Sequence, residues 1–407
     1  MTHPLKALAM AVRNLLRGGR RTVSTLLAIL VGLVGLTLLD GYITYSMNGL
    51  RWSVIHSGTG HIQVVKSPAF LDEGDSDPFP FMLDNAGQIQ DRLRAMPQVA
   101  DVVPAVSFTA VASANGKTTT VMVTALPTDK AARYLEARRI EAGKDLAAGQ
   151  TGSILLGRGV ARKLGVAPGA PVSLFALTEG GGVNTQTYGV TGTTATVIAA
   201  LDNTAVFMDL SDAQALMGTQ QVPQLIVFLK ETADTNPVAA KLRADLGGLT
   251  IRTWEQLSPY YQQANSAYQL VLAVARFIVL IVALFSISGT LSLSVMERLR
   301  EVGTLRAFGT RRAGLLTMFV WEGLALGLAG ALVGCAAGAG ISGLLNLFGG
   351  VTMPPQPGTS EAFRILFTPE TSKFFDNALW VVGASIVGAL FPGMLASRRK
   401  IADLLRA

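Results

Sequence analysis

Four long stretches of this sequence carry almost no charge, and each is long enough, or nearly so, to cross a membrane. They cover residues 22–43, 268–296, 313–347 and 378–396. A membrane-spanning helix needs about 20 apolar residues. Backbone inside lipid must also satisfy its own hydrogen bonds, as a helix does. The first stretch is too long for a secretory signal peptide and lacks a small-residue cleavage motif, so we interpret it as a retained anchor.

The spacing of these stretches predicts a membrane protein with four transmembrane α-helices in a 1 + 3 arrangement. A large α+β extracytoplasmic domain is inserted between the first and second helices. The predicted segments are an amphipathic N-terminal helix (1–21), transmembrane helix 1 (22–46), the inserted domain (47–266), transmembrane helix 2 (267–296), a short cytoplasmic helix (297–312), transmembrane helix 3 (313–347), an outer loop (348–376), transmembrane helix 4 (377–396) and a tail (397–407). The first segment could equally be a continuous extension of transmembrane helix 1.

The basic residues predict the orientation of the chain. They cluster before the first span, between the second and third spans, and after the fourth span, whereas segment 47–266 holds slightly more acidic than basic residues. Clusters of this kind mark the cytoplasmic side of a membrane. We therefore expect an inner-membrane protein with both termini in the cytoplasm and the large domain in the periplasm. The basic pI reflects this topology and does not indicate nucleic-acid binding.

The inserted domain shows both strand and helix patterns, which predicts an α+β fold, in two subdomains. Its strongest local signal is Asn115-Gly116 between two alternating runs, which predicts a β-hairpin. The only cysteine of the chain, Cys335, lies in the third span, so this domain must be stabilised by its own core rather than by disulfides.

The residues offer no catalytic or metal site. The nearest approach to a phosphate-binding loop, residues 152–159, lacks the lysine and the Ser/Thr that contact phosphate and Mg²⁺. The three histidines, His3, His56 and His61, are not spaced as metal ligands. We therefore expect no enzymatic activity, metal or cofactor in this chain.

Two ionisable residues inside the spans, Arg276 and Glu322, are functional candidates because a charge at membrane depth is costly. A structural role is also open for each. Arg276 could extend outward to the membrane surface, and Glu322 could cap or pair with a neighbouring helix. Neither has a second carboxylate or histidine nearby in sequence, so we do not expect a proton relay.

The third span repeats glycine at close intervals, which allows helices to approach closely in lipid. These glycines could serve packing within one subunit or between two subunits. The residues are Gly323, Gly327, Gly330 and Gly334, with Gly338 one turn further.

Segment 297–309 predicts a short amphipathic helix that joins two spans on the cytoplasmic side. An apolar residue recurs every three positions, at Leu299, Val302 and Leu305. The helix could be an ordinary interfacial helix, or a coupling helix whose apolar ridge docks in a groove of an ATPase while its charges fix the register. The charged candidates are Glu297, Arg298, Arg300, Glu301 and Arg306.

The stretch Glu301-Val-Gly-Thr-Leu-Arg-Ala-Phe-Gly309 resembles the signature of the FtsX-like permease family. The Trp321-Glu322-Gly323 opening of the third span and the ending 391–406 also resemble that family, although Gly393 and Ala402 depart from its closing motif. Residues 154–172 resemble the periplasmic domain of MacB and of LolC/LolE-type permeases. The order of one span, a large domain and three spans matches these permeases.

This resemblance implies the permease subunit of a type VII ABC transporter. The permease would pair with a second copy or a paralogue, and each would bind a separate cytoplasmic ABC ATPase that holds ATP and Mg²⁺. ATP hydrolysis would drive a periplasmic conformational change, called mechanotransmission, in the extraction or export of a lipoprotein or amphipathic substrate. A lipoprotein, lipid or periplasmic carrier could be a further partner, and nucleic acid is not expected. The alternative is a non-transporting regulator that activates a cell-wall hydrolase or a signalling partner.

Overall fold

The computed structural model describes residues 19–134, 136, 138–195, 202–353 and 363–398. The predicted N-terminal helix (1–21) and the tail (397–407) therefore lie almost wholly outside the described residues, as does the middle of the outer loop (348–376). The chain divides into a helical unit and a mixed unit. The helical unit contains Met1–Met47, Ala264–Thr352 and Arg364–Ala407, and the mixed unit contains Asn48–Gln263 and Met353–Phe363.

The described helices and strands alternate between the first and second long helices and then become almost entirely helical. In chain order they are α1 (Gly19–Val54), β1 (Ile62–Val65), α2 (Phe70–Glu73), α3 (Ala86–Arg94), β2 (Val99–Ala114), β3 (Lys117–Leu126), α4 (Thr128–Tyr134), β4 (Arg139–Gly143), β5 (Ser153–Gly157), α5 (Arg158–Leu164), β6 (Pro171–Leu177), β7 (Val183–Ala195), β8 (Ala205–Asp209), α6 (Leu210–Met217), β9 (Gln224–Leu229), α7 (Thr235–Asp245), β10 (Thr250–Thr253), α8 (Trp254–Leu257), α9 (Pro259–Glu297), α10 (Leu299–Ala307), α11 (Arg312–Leu347), β11 (Val351–Met353), β12 (Phe363–Ile365) and α12 (Thr371–Arg398).

Within the described residues, four helices are long and apolar enough to cross a membrane: α1, α9, α11 and α12. This confirms the predicted four spans in a 1 + 3 arrangement around an inserted domain. Both α1 and α9 continue past the predicted span limits at 46 and 267, with 36 and 39 residues respectively. The reason is physical: hydropathy marks only the part of a helix that needs lipid, about 20 residues, whereas the backbone hydrogen bonds continue into the polar turns beyond it.

The glycines of α11 pack against the helices of the same chain. A methyl group at Gly323 would lie 2.5 Å from Cβ of Ala389 in α12, and one at Gly334 would lie 2.7 Å from Cδ1 of Leu33 in α1. Gly327 faces α12, and Gly330 and Gly338 face α1. Of the two alternatives, packing within the subunit therefore accounts for all five glycines.

The mixed unit, called the ectodomain below (Asn48–Gln263), is built on strands in the order β10-β1-β9-β2-β3-β8-β5-β7-β4, with β6 beside β2 and β7. Strand β2 pairs with β9 along its first half and with β3 and β6 along its second half. The α+β prediction is confirmed. The strands form one connected ten-stranded sheet, in which β2, with 16 residues, pairs with different strands along its two halves. The division into two subdomains stays a prediction.

The hairpin predicted at Asn115-Gly116 joins β2 to β3. Both turn residues have positive φ, 52° and 72°. Two-residue hairpin turns need this conformation because it matches the right-handed twist of the strands, and Asn-Gly adopts it readily. Local sequence therefore determines the register of the central strand pair, from Val106 opposite Ala125 to Ala114 opposite Lys117.

Candidate functional site

The short helix predicted between the second and third spans is present as α10, and its apolar residues point in two different directions. Val302 is 2% exposed and packs with Val295, Leu315, Phe319 and Ala396. Leu299 packs against the same cluster. The prediction that these residues form a free ridge is therefore wrong for Val302 and Leu299. A period of three does not reveal which side of a helix faces the bundle, because both sides of this helix carry apolar residues.

The other face of α10 is open. Leu305 is 41% exposed and Phe308, directly after the helix, is 90% exposed. Together with the exposed Glu301 they lie at intervals of four and three residues, which places them on one helix face. We call Glu301, Leu305 and Phe308 the docking face. Arg300 flanks it and is also exposed.

Three of the predicted coupling charges bind to other parts of the helical unit. The guanidinium of Arg298 lies 3.4 Å from the carboxylate of Glu322 in α11. Arg21, near the start of α1, forms an ion pair with Glu297, the last residue of α9. Arg306 donates a hydrogen bond of 3.1 Å to a backbone carbonyl in the last turn of α12. These contacts therefore tie α10 and its junction to α1, α11 and α12.

Glu322 is 2% exposed and pairs with Arg298. This agrees with the structural role expected for Glu322, in which it pairs with a neighbouring element. This pair could not be predicted from the sequence, because Arg298 belongs to the junction before α10 and Glu322 lies well inside α11. Only the packing of the helical unit brings the two charges together.

A second group of polar residues, the outer polar cluster, joins three helices. The carboxylate of Asp40 in α1 accepts a hydrogen bond of 2.7 Å from the amide of Asn377 in α12 and lies 3.5 Å from the guanidinium of Arg276 in α9. Asp40 and Asn377 are each 2% exposed. The alternative in which Arg276 simply extends outward does not fit this pairing. Its side chain is three-quarters buried.

A polar cavity of about 410 Å³ in the ectodomain combines both signs of charge. It is lined by Arg51, Glu231, Thr232, Ala233, Thr235, Asn236, Trp254 and Glu255. Beside it, Nδ1 of the buried His61 accepts a hydrogen bond from the backbone N–H of Leu229. Burial, with smaller contributions from His56 and Arg51, lowers the pKa of His61 to about 4. His61 is therefore neutral near pH 7. Across the described ranges, no three potential metal ligands lie together.

This arrangement defines a polytopic membrane protein with an α+β domain inserted between its first and second spans and a short helix anchored to its helical bundle. Residues 22–245 match the family model described as the MacB-like periplasmic core domain. Residues 273–401 match the model described as the FtsX-like permease C-terminal domain. The chain therefore belongs to the FtsX-like, MacB-type family of ABC transporter permeases.

Three relatives illustrate the range of the family. The lipoprotein-releasing system transmembrane protein LolC of Neisseria meningitidis is 25% identical over 66% of this chain and 68% of its own length. The corresponding protein LolE of Haemophilus influenzae is 23% identical over 93% of this chain and 91% of its own length. The macrolide export ATP-binding/permease protein MacB of Agrobacterium fabrum is 24% identical over 89% of this chain and 55% of its own length.

These similarities place the chain in the inner membrane and in the LolC/LolE/MacB type of ABC permease, whose members work with a cytoplasmic ABC ATPase. The resemblance seen in residues 301–309, 321–323 and 391–406 lies within or beside the matched C-terminal region. The resemblance of residues 154–172 lies within the matched periplasmic core. The recognition made from short motifs is thereby confirmed.

Proposed function

We propose that this chain couples ATP hydrolysis by a separate cytoplasmic ATPase to a conformational change of its periplasmic domain, and that the system extracts a lipoprotein or another amphipathic substrate from the membrane. The relative LolE, which bears the name of a lipoprotein-releasing system, aligns with this chain over nearly the whole of both proteins. That alignment supports the choice of cargo class. Dimerisation with a second copy or a paralogue is part of the proposal.

One observation carries the coupling role: α10 is fixed on one side and open on the other. A helix that transmits force between two proteins must resist displacement relative to its own bundle. Burial of Val302, together with the hydrogen bond from Arg306 to α12, supplies that resistance. The same helix must offer a contact surface to its partner, and exposed apolar anchors of the size of Phe308 commonly dominate such interfaces. The docking face meets this requirement.

The arrangement of the helix ends supports a cytoplasmic position for α10 and for both termini. The ion pair between Arg21 and Glu297 places the start of α1 beside the end of α9. The hydrogen bond from Arg306 to Ser397 places the end of α12 beside α10. These neighbouring ends carry the basic clusters, which in membrane proteins lie on the cytoplasmic side.

The test is the double variant Leu305→Asp/Phe308→Asp, purified in mild detergent together with its ATPase. Removing both anchors should weaken ATPase binding by at least about 30-fold, since a loss of roughly 2 kcal/mol is common at such positions. The matched control is Leu177→Asp in the ectodomain, because Leu177 is also an exposed leucine, at 51%. ATPase recovery equal to that of the control would refute the proposed docking face.

Mass spectrometry of the material that co-purifies with the unmodified chain tests the cargo. An ATPase together with lipoproteins or lipid would support extraction. An ATPase together with a murein hydrolase or a sensor kinase would instead assign a regulatory role and overturn the extraction proposal.

A further inference from the structure

The junction between α9 and α10 consists of a single residue, Arg298. Its backbone leaves helical geometry, with φ −111° and ψ 19°. Its N–H donates to the carbonyl of Val295 near the end of α9, and its carbonyl accepts from the N–H of Val302 in α10. Arg298 therefore ends one helix and begins the next, so the direction of α10 depends on the conformation of this residue.

The side chain of Arg298 extends this junction to a third helix. Its guanidinium meets the carboxylate of Glu322 in α11, at 3.4 Å. The carboxylate is almost fully buried, whereas about a fifth of the arginine side chain remains exposed. Removing the partner of a buried charge is strongly unfavourable. A displacement of α10 that left Glu322 behind would therefore be resisted, whereas a displacement that carried α11 along would keep the pair intact.

Two further contacts oppose independent movement of α10. Val302 is enclosed by Leu315 and Phe319 from the first two turns of α11, together with Ala396 from α12. At the other end of α10, the guanidinium of Arg306 holds the carbonyl of Ser397. In the described residues, α10 is thus attached to α11 and α12 and does not depend only on its covalent link to α9.

From these contacts we propose that Glu322 is a positioning residue that makes α10 and α11 move as one body, so that force applied to the docking face enters the third span directly. This inference rests on the proposed coupling function. It adds to that function a defined path for the force, which runs from the docking face through Arg298 and Glu322 into α11.

The test measures the distance between α10 and α11 by electron paramagnetic resonance in the full complex with its ATPase. Spin labels are placed at the exposed positions Ala307→Cys and Leu332→Cys, in a Cys335→Ala background because Cys335 is the only native cysteine. The distance in the otherwise native chain should be the same without nucleotide and with a non-hydrolysable ATP analogue. In Glu322→Gln it should shift or broaden when the analogue is added.

The conservative variant Glu322→Asp should retain the fixed distance, because it keeps the negative charge. The control Glu370→Gln, at an exposed glutamate in the same unit, should behave like the native chain. A nucleotide-dependent distance in the native chain would overturn the proposal even if Glu322→Gln fails to fold. A distance in a folded Glu322→Gln that remains as constant as in the native chain would also overturn it.

Failure of the proposed function gives a different result. If the native chain forms no complex with an ABC ATPase, the coupling function itself is refuted, together with this inference. If the complex forms and the α10–α11 distance changes with nucleotide, coupling stands and only the role of Glu322 is refuted.

Discussion

The packing of α11 against α12 predicts that Gly323→Ala destabilises the helical unit. The added methyl carbon would lie 2.5 Å from Cβ of Ala389 and 2.8 Å from the backbone carbonyl oxygen of Ser385. Favourable carbon–carbon contacts are about 3.5–4.0 Å. Neither neighbour is the flexible end of a side chain, so the two helices must separate by about 1 Å along this contact.

Overpacking of this kind costs about 1–3 kcal/mol. Replacing glycine by alanine in a helix recovers at most about 1 kcal/mol through the reduced flexibility of the backbone. We therefore expect a net loss of up to about 3 kcal/mol of unfolding free energy at Gly323. Gly340 in the same helix is the matched control, because a methyl group there has no neighbour within 4 Å. Gly340→Ala should be neutral or slightly stabilising.

Thermal unfolding in detergent can be followed with a thiol-reactive dye, since Cys335 is the single cysteine and lies in α11 beside the backbone of α12. The dye should react with Gly323→Ala at a lower temperature than with the native chain, and with Gly340→Ala at the same or a higher temperature. Equal midpoints for the two variants would refute the argument that the close approach of α11 and α12 at this glycine determines stability.

Two further predictions concern the buried polar residues. Because the folded pKa of His61 is about 4, below the usual value of about 6.5, the stability from its neutral form is complete above pH 6.5 and is lost as the pH falls towards 4. Between pH 7 and pH 4.5, the unfolding free energy of the native protein should fall by about 1–3 kcal/mol more than that of His61→Gln, as measured by chemical denaturation. Parallel pH profiles of the two unfolding free energies would contradict this. In the outer polar cluster, Arg276→Met should destabilise the native chain by about 3 kcal/mol because it leaves the buried Asp40 without a cationic partner. The double variant Asp40→Leu/Arg276→Met should recover most of that loss in the same thermal assay, and additive losses would exclude a direct ion pair.

Much of the fold could be read from local patterns. The four spans follow from hydropathy, since lipid tolerates only helices that satisfy their own backbone. The hairpin at Asn115-Gly116 follows from backbone conformation at the turn.

The candidate site was harder to predict from sequence. The sequence places the candidate coupling residues in one short helix and the junction before it, but it does not determine their orientations. Val302 packs inward while Leu305 remains exposed, and the choice depends on how α11 and α12 lie beside α10. No local pattern assigns a role to Asp40, because its partners Arg276 and Asn377 lie more than two hundred residues away in the sequence.

The sequence by itself determined the class of protein, its number of spans and the position of the inserted domain. These properties depend on composition and short-range spacing, which are complete within a single segment. Only the tertiary structure decided which charges are paired, which face of α10 is free, and that the glycines of α11 serve contacts within one subunit. Each of these depends on residues from different helices that meet across the bundle, and such pairings are not contained in the periodicity of any one helix.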